Sequence, residues 1–376
     1  TISGPEASAY FPAGTAQVHI DGDVVLAMRR YVEATGDVGL LWDGAVDVVF
    51  ECARFYAGYG AVGRDGRFHL HTVTGPDEYT ALVDDNHFTN KLVRETLRYA
   101  VELAAELPRL DAERWERAKA RLGVTDAEVA RWAELAELVH LPVDPSLGVT
   151  PQDASFLSKP EWPWDEVPPE RYPLLLHYHY LDIYRHQVLK QADTLLAHTL
   201  LPEDVPRWQL RRDVAYYAPR TTHDSSLSAC THAVAYAELG DVETAARFFD
   251  ATARVDLDDT HGNADHGVHV AAMGGTYLGL LDGFAGYRVQ GGNADTALSE
   301  KGLRQISRLA EVMRCESVDL IVSSPLQRAV TTAETIGQYH EAPILTDPGL
   351  KEVNVGELDG LCTVDMPQTF TELLLS

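Results

Sequence analysis

Basic residues are scarce. Against 57 Asp and Glu the chain sets only 31 Lys and Arg in 376 residues, a formal net charge of −26. Such a surface repels nucleic-acid backbones and anionic lipid, so no nucleic acid and no membrane is expected as a partner. A neutral sugar fits that charge, whereas a strongly anionic ligand needs a local positive pocket. Cysteines are few and widely spaced (Cys52, Cys230, Cys315, Cys362), with no Cys-x-x-Cys pair. That spacing predicts reduced thiols and a cytoplasmic setting rather than a disulfide or zinc framework. No apolar run reaches the roughly 18 residues of a membrane span, and no basic-then-apolar leader opens the chain. What is abundant is apolar side chain, 45% of the sequence, enough for one large core or two to three domains.

From residue 20 to 286 the periodicity is helical. "DGDVVLAMRRYVEATGD" opens with Asp21 and Asp23 as cap candidates and stops at Gly36. Residues 41–58 and 85–107 carry apolar side chains at helical spacing. Thr125 followed by Glu128 is a capping-box pattern. "YLDIYRHQVLKQADTLLAHTLL" reads as one long helix with Leu181, Tyr184, Val188, Leu195 and Leu196 on a buried side. Two further helices meet at Gly240-Asp241, and so short a connection makes antiparallel neighbours. A mainly α architecture follows: about ten helices in antiparallel pairs, as in an α/α toroid, with a plain bundle or solenoid as the alternative. Beyond Arg288 the rhythm becomes helix, strand, helix, strand, and only His340 of the fifteen histidines lies there. We therefore expect domains at 1–288 and 289–363, with a tail at 364–376.

Several stretches can carry chemistry. In "HTVTGPDEYTALVDDN", Asp77 and Glu78 follow a Gly75-Pro76 turn. Proline fixes one backbone angle and glycine permits an unusual one, so the turn can hold a carboxyl rigidly as a general acid. A solvated acidic turn capping the next helix is the plainer alternative. "VLKQAD" places Lys190 and Gln191, donors suited to sugar hydroxyls or simply a polar helix face. "THDSSLS" puts His223, Asp224, Ser225 and Ser226 at a helix start, where free amides and hydroxyls suit an oxyanion and also suit an N-cap. "GNADHGVHVAAMGGTY" offers His266, His269, Gly274 and Gly275. His266 and His269 lack a matching acid or cysteine spacing, so no metal is expected and His269 reads as a phosphate or sugar donor. Aromatics in "EWPWDEV" and "AYYAPR" could face a sugar ring or simply pack.

Taken in order, "GTAQVHIDGDVVLAMRRYVEATGD", "GPDEYTALVDDNHFTN", "YRHQVLKQAD", "YYAPRTTHDSSLS" and "HGVHVAAMGGTYLGLLDGFAG" resemble glycoside hydrolase family 65 over residues 1 to about 288. That family contains maltose, kojibiose, nigerose and trehalose phosphorylases and a few hydrolases. The resemblance implies an (α/α)6 barrel with Glu78 as general acid, Asp77 supporting the turn, and Lys190 and Gln191 holding a glucosyl unit. It implies phosphate near His223, Ser225, Ser226, His269, Gly274 and Gly275. The expected reaction is inverting phosphorolysis of a maltose-type α-glucoside, giving β-glucose 1-phosphate and a sugar. Inorganic phosphate is a co-substrate, no cofactor is needed, and a homodimer stays open. An α-glucoside hydrolase such as a trehalase, or an inactive fusion fragment, is the alternative. Family members carry a β-sandwich, a linker and a first barrel helix ahead of the point matching Thr1, so the barrel is expected to be truncated.

The remainder, in "RVQGGNADTALSEKGLRQ", "DLIVSSPLQRAVTTAETI" and "LKEVNVGELDGL", resembles the histidine phosphatase superfamily. That chemistry uses a nucleophilic histidine, two arginines and a second histidine. Arg328 matches a phosphate-binding arginine, but both histidine positions are empty, and His340 lies off the motif as an exposed residue. A partial, catalytically inactive α/β segment is expected.

Overall fold

The computed structural model describes residues 12–286, 300–347 and 350. The boundary expected near Arg288, the last matched motif and the tail at 364–376 lie outside the described residues. The chain divides into two compact units, residues 1–29 with 38–231 and residues 30–37 with 232–376.

Helix α1 (His19–Thr35) starts in the first unit and runs into the second at Arg30; it carries Asp21 in its first turn and is followed by Gly36 at φ 66°. A kinked turn at Leu41–Ala45, with Gly44 at φ 132°, leads into α2 (Val46–Tyr59). Then come the hairpin strands β1 (Ala61–Val62) and β2 (Phe68–His69). Asn86 caps α3 (His87–Leu110) by accepting from Thr89 N at 3.0 Å. Asp111 caps α4 (Ala112–Leu122) in the same way, and Thr125 caps α5 (Asp126–Leu138). Both halves of the capping box are present, the Glu128 carboxylate reaching back to the Thr125 backbone. The Glu128 carboxylate also pairs with Arg54 of α2, at 2.6 and 3.0 Å, which ties α5 to α2.

Helix α3 is buried along most of its length because Phe88, Leu92, Val93, Leu97 and Leu103 repeat at helical spacing. It packs against α2 and α5, with Phe50 and Trp132 rings 5.5 Å apart in the core between them. Each such side chain contributes about 1.5–3 kcal/mol through its burial.

The long helix expected over 180–201 is broken in two: α6 (Tyr180–Ile183) and α7 (Asp193–Leu200). Between them the backbone is engaged elsewhere. Gln187 N donates to Pro160 O (2.8 Å), Leu189 N to Arg220 O (2.9 Å) and Lys190 N to the Asp77 carboxylate (2.8 Å). A residue whose N–H points at a distant acceptor cannot also close an i→i−4 bond. Leu181 is consequently exposed, while Val188 and Leu195 are buried. "AYYAPR" begins inside α8 (Arg207–Tyr217) instead of forming a loop, and Tyr217 is fully buried. Trp162 joins Tyr79, Leu174, Ile183 and Val188 in a small core, so it packs rather than offering a sugar platform.

Helix α9 (Ser228–Leu239) passes into the second unit, followed by α10 (Val242–Ala253) after Gly240 at φ 84°, with Asp241 capping α10. α11 (Val270–Leu278), α12 (Glu300–Met313) and α13 (Gln327–Gly337) complete the helices described. Strands β3 (Ile321–Ser323) and β4 (Ile344–Thr346) pair in parallel, as the βα rhythm predicts. "VDLIVSS" reads as a short buried strand, yet within β3 only Ser323 is buried and Val322 is exposed, as is all of β4. The apolar sides of α12 and α13 instead enter a shared core, where Leu309, Ala310 and Ile336 meet Ala237, Val242, Ala245 and Phe284. His340 is half-buried rather than exposed, with Nε2 shielded from solvent.

Candidate active site

The Gly75-Pro-Asp-Glu turn is held from below by a buried polar network. Asp77 is inaccessible to solvent, and its Oδ1 accepts from three backbone amides: Lys190 (2.8 Å), Tyr79 (3.2 Å) and Gln191 (3.4 Å). Its Oδ2 accepts from Gln152 Nε2 at 3.1 Å. Asp77 thus pins its own turn to the Lys190-Gln191 segment. Burial pushes the Asp77 carboxyl up to about 7, although these donors pull the other way.

A second buried acid completes the frame. Asp193, at the start of α7, accepts from Asp77 N and from Asn86 Nδ2, each at 2.9 Å. Its own N–H donates to Gln152 Oε1 at 3.1 Å. Burial, with the neighbouring Asp77 charge adding to it, raises the Asp193 carboxyl well above the usual range. Gly75 is required for a different reason than the sequence suggests. Its φ is not in the left-handed region; instead a Cβ there would meet Asp193 Oδ2 at 2.1 Å and Asn86 Nδ2 at 2.4 Å. Glycine lets the turn approach this pair closely.

Above the frame, Glu78 is half-exposed and its carboxylate pairs with the Lys190 ammonium. Gln191 donates from Nε2 to Pro76 O (2.7 Å) and accepts from Ser225 Oγ (2.6 Å). The Tyr79 hydroxyl donates to Asp224 and accepts from Leu174 N (2.8 Å). A short parallel bridge between Leu189 and Thr221 aligns the segment at 187–191 with the one at 221–226. His223 adopts φ 60°, with Nδ1 2.9 Å from Ser228 Oγ, and burial lowers its ring to about 4. A ring this hard to protonate is neutral and offers one N–H donor. Ser226 follows, half-buried.

The structure therefore gathers Glu78, Lys190, Gln191 and Ser225, with His223 and Ser226 on the same loop. His269, Gly274 and Gly275 belong to the second unit. There His269 stands at the N-cap position of α11 without a side-chain cap bond and is held by Asp256, which accepts from its backbone N–H (2.8 Å) and contacts its ring Nδ1. Gly274 is exposed and has open space where a Cβ would sit, whereas Gly275 is buried. Asp193, Gln152, Asn86 and Tyr79 were not singled out from sequence. Asp193 follows Lys190-Gln191 by two residues, and Asn86 stands at a cap, so each reads there as ordinary helix-start chemistry.

Comparison with known proteins gives the arrangement a context. Residues 3–278 match the glycosyl hydrolase family 65 central catalytic domain, and residues 283–375 match the histidine phosphatase superfamily, branch 1. The α,α-trehalose phosphorylase of Geobacillus stearothermophilus is 45% identical over 77% of this chain and 38% of its own length. The maltose phosphorylase of Bacillus subtilis is 31% identical over 77% of this chain and 37% of its own. A solved structure assigned as a kojibiose phosphorylase from the human microbiome superposes with a TM-score of 0.69 at 25% identity, covering 77% of this chain and 42% of that one. The mainly helical fold is of the (α/α)6 type. The chain spans about two fifths of the length of these relatives.

Proposed function

From the premise that this chain belongs to glycosyl hydrolase family 65, we propose that it is the catalytic portion of an inverting disaccharide phosphorylase, with Glu78 as its general acid. The observation that supports this most is the placement of Glu78. Its turn is fixed by buried carboxylates, while its own carboxyl is half-exposed beside Lys190, Gln191 and Ser225. A proton donor needs that combination of rigidity and access.

In this reading Lys190 and Gln191 bind hydroxyls of the glucosyl unit, and substrate exchanges a sugar contact for the Lys190–Glu78 pair. Glu78 protonates the glycosidic oxygen as phosphate attacks the anomeric carbon from the opposite face. The glycosidic C–O bond breaks, a C–O bond to phosphate forms, and one inversion of an α-glucoside gives β-glucose 1-phosphate. Phosphate is itself nucleophilic, so it needs donors rather than the second carboxylate of an inverting hydrolase. Those donors are proposed to be His223, Ser225 and Ser226, on the loop beside Gln191.

The substrate proposed first is α,α-trehalose rather than a maltose-type sugar, because relatives of that activity share 45% and 44% identity against 31% for the maltose phosphorylase. The test is incubation of the chain with trehalose, maltose or kojibiose with and without phosphate, with β-glucose 1-phosphate read by phosphorus NMR. Glu78→Gln should lower the rate by about 10²–10⁴. Equal turnover without phosphate would indicate a hydrolase, and no turnover in any buffer would indicate an inactive fragment.

A further inference from the structure

Shortly before Glu78 in the chain, the β1–β2 hairpin meets the loop after α5 at a group of side chains that the phosphorolysis reading does not use. Asp65 in its turn, His69 on β2 and His140 just after α5 offer one ligand atom each, all within 4.8 Å of one another. No sequence spacing announces them, because they come from a turn, a strand and a distant loop. We propose that Asp65, His69 and His140 form a three-ligand site for a divalent transition ion of the Zn²⁺ class, with its remaining position open to water.

The chemistry of the set favours such an ion. Two imidazoles and one carboxylate, with an open position, are a common Zn²⁺ donor combination, whereas Mg²⁺ and Ca²⁺ prefer oxygen throughout. Tetrahedral ligation at about 2.0–2.1 Å separates neighbouring ligand atoms by about 3.3 Å. His69 Nε2 already lies 3.1 Å from both Asp65 oxygens. The His140 ring lies against it, with centroids 4.6 Å apart, so bringing its nitrogen in needs a shift of no more than about 1.5 Å.

The surroundings hold the ligands in place. Asp85 Oδ2 contacts His69 Nδ1 at 2.7 Å, which directs Nε2 toward Asp65, as carboxylates behind metal-binding histidines do. Asp85 is itself held, its Oδ1 accepting from Leu70 N and Asn90 Nδ2, each at 3.1 Å. The same Asn90 amide donates to His140 O at 2.8 Å, so one residue of α3 braces both the orienting acid and a ligand backbone. His140 N donates to Phe68 O at 2.9 Å, which ties the loop to β2. Gly63 lines the back: a Cβ there would sit 2.9 Å from Asp65 Oδ1 and 3.1 Å from His69 Nε2. Asp65 is exposed and the two histidines are half-buried, so an ion can reach them. Bound there, it would cross-link the hairpin to the post-α5 loop, next to the residues preceding the Asn86 cap.

The full chain, stripped with a chelator and dialysed, is titrated with ZnCl₂ by calorimetry, and Co²⁺ is added in parallel as a coordination probe. One equivalent of Zn²⁺ should bind, Co²⁺ should give the strong visible absorption of a tetrahedral site, and millimolar Mg²⁺ or Ca²⁺ should not compete. Asp65→Ala and His140→Ala should each weaken binding by at least about tenfold. Asp65 is exposed, so that variant leaves the core intact if His140→Ala folds poorly. His177→Ala, at an exposed histidine elsewhere in the same unit, should change nothing. Absence of saturable binding would overturn the proposal. So would affinity unchanged in both ligand variants, which would mean an adventitious ion only.

Discussion

Replacing Gly75 by alanine would place a Cβ 2.1 Å from Asp193 Oδ2 and 2.4 Å from Asn86 Nδ2. Ordinary contact begins about 1 Å farther out. Neither neighbour can retreat into solvent, since Asp193 and Asn86 are both fully buried. The displacement therefore breaks or stretches the 2.9 Å bonds from Asn86 Nδ2 and Asp77 N to Asp193. Each such hydrogen bond contributes about 0.5–1.5 kcal/mol and overpacking costs about 1–3 kcal/mol, so Gly75→Ala should destabilise by about 2–4 kcal/mol after partial relaxation. All six tryptophans (Trp42, Trp115, Trp132, Trp162, Trp164, Trp208) lie in the first unit, so urea unfolding followed by tryptophan fluorescence reports the affected region. Gly274→Ala is the matched control. Its Cβ meets nothing within 4 Å, and it lies inside α11, so alanine should stabilise by about 0.5–1 kcal/mol by circular dichroism. A loss below about 1 kcal/mol at Gly75 would refute the close-approach argument.

Burial holds the Asp77 carboxyl at about 7 against 3.8 for the free side chain, so the folded state binds a proton that the unfolded state has released between those values. Its contribution is complete below about pH 4 and is lost as pH rises to about 7, at up to about 1.4 kcal/mol per unit. Fluorescence-monitored unfolding should show that decline and a flatter one in Asp77→Asn; an unchanged slope would contradict it. Thr125→Ala should cost about 1 kcal/mol through loss of the α5 cap, with Thr125→Ser recovering most of it in the same assay. The chain should release no phosphate from a generic phosphomonoester, and turnover abolished by His340→Ala would reverse that reading. Residues 289–376 expressed alone should lack a cooperative transition, because the core that α12 and α13 share also contains Ala237, Val242, Ala245 and Phe284, which that piece lacks.

Local patterns in the sequence determined much of this protein. Apolar side chains at helical spacing delimit α3, Gly36 and Gly240 stop helices, and Thr125 starts one. These depend on residues within a turn or two of each other, which a linear reading captures. The Gly-Pro-Asp-Glu turn likewise marked itself, and so did the resemblance that ordered the motifs. Tertiary contact alone decided the rest. The apolar spacing over 180–201 predicts one helix, yet Asp77, more than 110 residues earlier, takes the Lys190 amide and holds that stretch extended. Asp193 reads as a helix cap until Asn86 and Asp77 are seen to donate to it. Asp65, His69 and His140 have no spacing to betray them, since the hairpin and the post-α5 loop meet through tertiary contacts such as the Phe68–Val139 bridge. A buried acceptor far away in sequence satisfies a backbone amide as well as a helix does, and which of the two prevails is settled only when the chain has closed around it.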